Sequence, residues 1–190
     1  MRQKVMLYFG SFNPIHRGHT AIAQWVVSQG LADRVWLVVS PQNPLKPSTE
    51  LAPEYDRLAM ARLAVATMPE VWVSDVEFAL PRPSYTIDTV DYLKCRYPDI
   101  DFAILTGGDI ACSIERWKEW GRLLAENNVY VYPRSGYNTL HAGMTLLDSA
   151  PVWDCSSTEI RSMAAAGESF SGMVAPEVSG YIKTHKLWKT

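Results

Sequence analysis

Short β-rich apolar runs alternate with longer amphipathic ones along most of the chain, and this alternation constrains the fold more than any other feature. It predicts a parallel sheet with helices on both faces: a strand covered on both sides reads as a continuous apolar run, and parallel neighbours need a crossover between them. The strand candidates are 5–9, 35–39, 71–76, 102–105, 129–132 and 152–154. Helices fit between and after them at 18–29, 54–67, 86–96, 110–125, 157–166 and 176–184. A chain of 190 residues, 47% hydrophobic and 20% charged, has room for one sizeable core and not for two ordinary domains. A single domain over 1–190 is expected, an α/β Rossmann-like sheet with ligands outside the carboxyl ends of its strands. The fingerprints GxGxxG and GxxxxGK[ST] are both absent from the sequence.

The string Gly10-Ser11-Phe12-Asn13-Pro14-Ile15-His16-Arg17-Gly18-His19 joins the first strand to the first helix. Gly10 permits a tight turn and close approach of the backbone to a ligand. The helix should start near Gly18, with free amides and a partial positive charge directed at the turn, an environment suited to a phosphate chain. His16 and His19, three apart, fall on one side of that helical turn. Each can donate to phosphate oxygens while neutral or add charge once protonated.

A second string, Ser156-Ser157-Thr158-Glu159-Ile160-Arg161, has capping-box spacing between Ser156 and Glu159 and opens a helix that ends near Gly167. By spacing alone it is a capped helix. Its amides, the hydroxyls of Ser157 and Thr158 and the Arg161 guanidinium would also suit outer phosphates. Lys46, in the proline-rich stretch 41–53, reads equally as a solvated loop lysine or as a phosphate contact from a mobile loop over the site. Asp109, after Gly107-Gly108, reads as a helix N-cap or as a carboxylate brought to the sheet edge. Trp117 and Trp120 read as core or interface residues of an amphipathic helix. Arg134 reads as a surface arginine.

The first string resembles the (H/T)xGH signature of the nucleotidyltransferase superfamily. More closely it is similar to the start of the bacterial nicotinate-nucleotide adenylyltransferases, G-G-T-F-D-P-I-H-x-G-H, with Ser11 and Asn13 in place of threonine and aspartate. The second string resembles the same family's I-S-S-T-x-I-R, with Cys155 in place of the first isoleucine. The family's G-x-D followed by W reappears as Gly107, Asp109 and Trp117, and its Y-T-x-x-T as Tyr85-Thr86-Ile87-Asp88-Thr89.

This resemblance implies adenylyl transfer from MgATP to nicotinate mononucleotide, giving the dinucleotide and pyrophosphate. It implies His16, His19 and Arg161 as catalytic groups. Gly10, Ser11, Phe12, Gly18, Lys46, Gly107, Asp109, Ser156, Ser157 and Thr158 would meet ATP. Asn13, Tyr85, Thr86 and Trp117 would meet the acceptor, Trp117 stacking on its ring while Thr86 and nearby amides hold its carboxylate. Mg²⁺ would arrive with ATP, with no dedicated metal site in the protein. A sister transferase acting on phosphopantetheine shares the histidines but not the second string. A non-catalytic nucleotide-binding module would not need both histidines and Arg161.

A net charge of −2 argues against a broad basic surface for DNA or RNA. Three cysteines without CxxC spacing indicate neither a disulfide framework nor a zinc site. The N-terminal apolar run is too short for a signal-peptide core and no stretch approaches a membrane span, so a soluble, cytoplasmic protein is expected. A homo-oligomer is compatible with the sequence, which does not decide oligomeric state.

Overall fold

The structure is a computed structural model that describes residues 2–42, 51–137 and 140–189. Six strands form one sheet: β1 Gln3–Gly10, β2 Arg34–Val39, β3 Val71–Ser74, β4 Ile100–Gly107, β5 Val129–Tyr132 and β6 Met144–Leu146, in the order β3-β2-β1-β4-β5-β6. Every pairing is parallel. Along β1, Met6 and Tyr8 enter one apolar layer and Val5 and Leu7 the other, the period-two alternation of a strand buried on both faces.

Helices α1 Arg17–Ser28 and α2 Glu54–Ala64 cover the first face, joined there by α6 Ser157–Ala166 and α7 Pro176–Thr184. Ile22, Ala23 and Val26 of α1 fall on one stripe, as do Val178 and Ile182 of α7. Helix α3 Thr86–Arg96 covers the other face through Ile87, Val90 and Leu93, with α4 Gly108–Ala111 and α5 Trp120–Glu126 beside it. Each such Val, Leu or Ile contributes roughly 1.5–3 kcal/mol when fully buried.

Two expectations are corrected. The sixth strand is not 152–154, where Val152 and Trp153 are 53% and 42% exposed and outside any strand. It is Met144–Leu146, which pairs Met144 with Val129. Only Met144 of its three residues faces inward, so its sequence carries almost no alternation to read.

The helix expected at 110–125 is broken into α4, a 3₁₀ turn at Ile114–Arg116, and α5. Trp117 is extended (ψ 146°) and Glu119 adopts the left-handed region (φ 50°). This break takes the Trp117 indole out of helical register. The strand expected at 71–76 ends at Ser74, and Val76–Phe78 forms a 3₁₀ turn.

Neighbouring strands leave β1 in opposite directions along the sheet, through β2 and β3 on one side and β4, β5 and β6 on the other. Crossovers therefore diverge at the carboxyl ends of β1 and β4, which opens a crevice there.

Candidate active site

A cleft of about 480 Å³ occupies this crevice. Its base is the end of β1 (Tyr8, Phe9, Gly10) and of β4 (Leu105, Thr106, Gly107). His16 and His19 line it, as do Ser156, Ser157 and Thr158 from the start of α6. The two distant strings are in direct contact: Ser157 Oγ donates to the Pro14 carbonyl at 2.9 Å, and Arg161 Nη1 to the Asn13 carbonyl at 3.0 Å.

The turn after β1 is shaped by its own side chains. Phe12 sits at φ 45° with its ring folded under Gly10, where a Cβ would meet the ring at 2.9 Å. Glycine is thus required at position 10 by Phe12, and the left-handed residue is Phe12 itself. Ser11 also lines the cleft. Its carbonyl, with those of Ser40, Pro41 and Ala52, accepts from the guanidinium of Arg57, which is 1% exposed. Burial holds that guanidinium down to about 10, which leaves it charged at neutral pH. Arg57 thereby ties the turn to the end of β2, a role that a charged residue in a helical pattern does not announce.

His16 is the N-cap of α1, 3% exposed, and its ring stacks on that of His19 with centroids 3.7 Å apart. Burial, with a contribution from the Arg134 guanidinium, pushes the His16 imidazole down to about 4. At neutral pH it is uncharged, so of the two expected modes only the neutral donor remains.

The His16 amide donates to His19 Nδ1 at 3.1 Å, which places the hydrogen of a neutral His19 on Nε2. His16 Nδ1 lies 3.3 Å from Cys155 Sγ, a thiol that burial keeps protonated and that also takes a bond from the Gly18 amide. The tautomer that satisfies all three groups has the thiol donating to Nδ1 and the hydrogen on Nε2 of His16.

The expected anion site at the start of α1 is corrected by these bonds. The Arg17 amide donates to the Met173 carbonyl at 2.8 Å and the Gly18 amide is turned to Cys155. Gly18 lies behind the imidazoles, where a Cβ would come within 3.0 Å of the His16 ring. At α6 the N-cap is Ser156, whose Oγ takes the Glu159 amide at 3.1 Å. Among the described residues the Ser157 and Thr158 amides have no protein acceptor, so the available anion-binding helix start is that of α6.

Three further expectations shift. Arg161 is not in the cleft wall; its guanidinium bridges the Asn13 carbonyl and Thr158 Oγ1, the latter at 3.3 Å. Asn13 is buried with its Oδ1 accepting from the Ala52 amide at 3.0 Å, which turns it away from the cleft. Arg134, expected at the surface, lines the cleft 3.7 Å from Asp109, and Asp109 is not a helix N-cap because Gly107 precedes α4 in that position. Lys46 lies outside the described residues.

Opposite α6, the wall is made by Tyr85 and Thr86 at the start of α3 and by Trp117 and Lys118. The amides of Thr86, Ile87 and Asp88 have no protein acceptor among the described residues. Lys118 pairs with Asp88 at 2.8 Å and lies over the Tyr85 ring at 5.1 Å. Glu77, Ser40, Ser84 and Tyr132 also line the cleft. None of these four carries a motif by which the sequence marks it.

A parallel sheet with a cleft at its switch point, walled by histidines and by free helix amides, defines a Rossmann-like nucleotidyltransferase fold. Residues 7–163 match the sequence model of the cytidylyltransferase-like family. A probable nicotinate-nucleotide adenylyltransferase of Bacteroides fragilis is 40% identical, over 93% of this chain and 90% of that protein. One of Flavobacterium psychrophilum is 36% identical over 98% and 99%. Plasmodium falciparum nicotinic acid mononucleotide adenylyltransferase complexed with NaAD shares the fold at TM-score 0.81 and 18% identity, covering 98% of this chain and 97% of that one. The chain belongs to the cytidylyltransferase-like family, in its nicotinate-nucleotide adenylyltransferase branch.

Proposed function

We propose that this protein transfers the adenylyl group of MgATP to the phosphate of nicotinate mononucleotide. One P–O bond forms between the acceptor phosphate and the α-phosphorus, the bond from the α-phosphorus to the bridging oxygen breaks, and pyrophosphate leaves. The acceptor phosphate has its second pKa near 6, so it arrives ionised and needs no general base. What the reaction needs is in-line placement of two repelling anions and relief of charge at the α-phosphate and the leaving group.

The observation that carries this reading is the contact of α6 with the Asn13-Pro14 turn, which puts imidazoles and helix amides on one cleft. His16 and His19 serve the transferring phosphate through Nε2–H groups. The Ser157 and Thr158 amides and hydroxyls receive the outer phosphates, and Arg161 holds their helix against the histidine turn and adds positive charge beside Thr158. Gly10, Ser11, Phe12 and Gly107 shape the ATP side. Asn13 and Gly18 act by holding the turn and the imidazoles. Mg²⁺ would come in on the triphosphate, and Asp109, on the cleft wall, would accept from its waters. On the far wall, Trp117 stacks on the acceptor ring and the start of α3, with Tyr85 and Thr86, takes its carboxylate.

Pyrophosphate release with MgATP, compared side by side for nicotinate mononucleotide, nicotinamide mononucleotide and phosphopantetheine, tests the assignment. The nicotinate nucleotide should have the highest kcat/KM. Faster turnover with phosphopantetheine, or none with any acceptor, overturns it.

A further inference from the structure

Glu77 is a carboxyl group that the mechanism above does not use. It lies in the 3₁₀ turn after β3, is 1% exposed, and yet forms part of the cleft wall. Its Oε1 accepts from Thr89 Oγ1 at 2.9 Å, which fixes the side chain against α3. Its Oε2 has no hydrogen-bond partner among the described residues, and neither has the buried Ser84 Oγ, which also lines the cleft. The Ser40 and Ser84 hydroxyls are close enough to Glu77 to temper its acidity.

Buried polar atoms are almost always paired, and an orphaned one costs its full desolvation. Two neighbouring orphans on the wall of a nucleotide cleft therefore mark a place that a ligand fills. We propose that Glu77 Oε2 and Ser84 Oγ form a subsite for the ribose hydroxyls of the acceptor mononucleotide.

Chemistry narrows the choice. Resting on the proposed function, the acceptor offers a phosphate, a ring carboxylate and a ribose diol. At neutral pH the carboxylate has no proton to give and the phosphate is mostly dianionic, so the hydroxyls are its donors. Burial raises the Glu77 carboxyl, against the pull of Ser40, Thr89 and Ser84. A hydroxyl both donates and accepts, so it satisfies Oε2 in either protonation state. An anionic group would be repelled by the ionised one. A carboxylate also reads a ribose hydroxyl in the dinucleotide-binding α/β sheets that carry the GxGxxG turn. Position agrees: Ser84 directly precedes Tyr85 and Thr86, and Thr89 sits one turn into α3, on the sheet face opposite α6.

The test is steady-state kinetics of pyrophosphate release with nicotinate mononucleotide and its 2′-deoxy and 3′-deoxy analogues, on the native enzyme and on Glu77→Ala, Glu77→Gln and Ser84→Ala. With the native enzyme, at least one deoxy acceptor should show a KM about tenfold higher while the KM for ATP is unchanged. Glu77→Ala should raise the KM for the parent nucleotide by a similar factor and lose nothing further with that deoxy acceptor. Glu77→Gln keeps an oxygen for Thr89 and offers an amide to the hydroxyl, so it should stay within about threefold of the native value. Ser84→Ala removes only an unpaired atom, folds by melting, and should raise the same KM; it and the native-enzyme comparison decide the matter should Glu77→Ala not fold.

Native enzyme that handles both deoxy acceptors like the parent overturns the subsite. So do losses that multiply between Glu77→Ala and the deoxy acceptors, or a Glu77→Gln enzyme whose change is in nicotinate over nicotinamide preference. Native enzyme that releases no pyrophosphate with any mononucleotide overturns the proposed function itself, and the subsite with it.

Discussion

Acid should destabilise this fold through one imidazole. His16 is 3% exposed and held from 6.5 down to about 4, chiefly by burial and secondarily by the Arg134 guanidinium. In the unfolded chain the same ring titrates near 6.5. Above that pH both states are neutral and the full stability is present. As pH falls toward 4, the unfolded chain binds a proton that the folded one refuses, and stability drops. A displacement of this size corresponds to about 3 kcal/mol, a large share of the 5–15 kcal/mol that folded domains have.

Urea unfolding of native protein and of His16→Asn at intervals from pH 7.5 to 4 isolates the effect, since carboxylates shared by the two proteins cancel in the difference. The native curve should fall by about 3 kcal/mol more than the variant's across that window. Parallel curves would mean that His16 is solvated or charge-paired in the folded state, and the neutral-donor role would go with them.

Three other perturbations follow from the same geometry. His19→Ala should lower kcat about 10²-fold or more, as loss of an oxyanion-type donor does, with a loss of about 1 kcal/mol in stability from the unpaired His16 amide; normal turnover would remove His19 from the chemistry. Trp117→Ala should raise the KM for the mononucleotide more than that for ATP in initial-rate assays, and equal effects on both would return the indole to the core. Arg57→Met should cost about 3–5 kcal/mol in chemical denaturation, because the buried carbonyls of Ala52 and Pro41 and the partly buried ones of Ser11 and Ser40 lose their donor together. A loss below about 1 kcal/mol would show that water replaces the guanidinium there.

Legibility in the sequence followed how each residue acts. Strands β1, β2, β4 and β5 are buried on both faces and appear as apolar runs, and α3, α6 and α7 have the expected ends because local signals define them: apolar spacing in all three, the Ser156 cap and Gly167 in α6, and Pro176 at the start of α7. The short edge strand β6 has one inward side chain and a weak pattern. Around Trp117 the apolar spacing is helical while the backbone is turned by the left-handed Glu119, so the break carries no sequence signal. In the site, the histidines and Ser156–Thr158 were readable because they lie in contiguous strings. Arg57, Glu77 and Ser84 were not, since each acts through carbonyls, hydroxyls or a cavity assembled from remote segments. That the Arg17 and Gly18 amides of α1 are already taken likewise depends on acceptors at Met173 and Cys155, more than a hundred residues away in the chain.

The central claim is that two remote strings serve a single triphosphate, imidazoles at one end and helix amides at the other. A crystal structure with a non-hydrolysable ATP analogue and Mg²⁺ tests it most directly. The account predicts His19 Nε2 within hydrogen-bond distance of the phosphate to be transferred, and the Ser157 and Thr158 amides on the outer phosphates of the same molecule. A triphosphate bound against α1 alone, with the start of α6 bare, contradicts it.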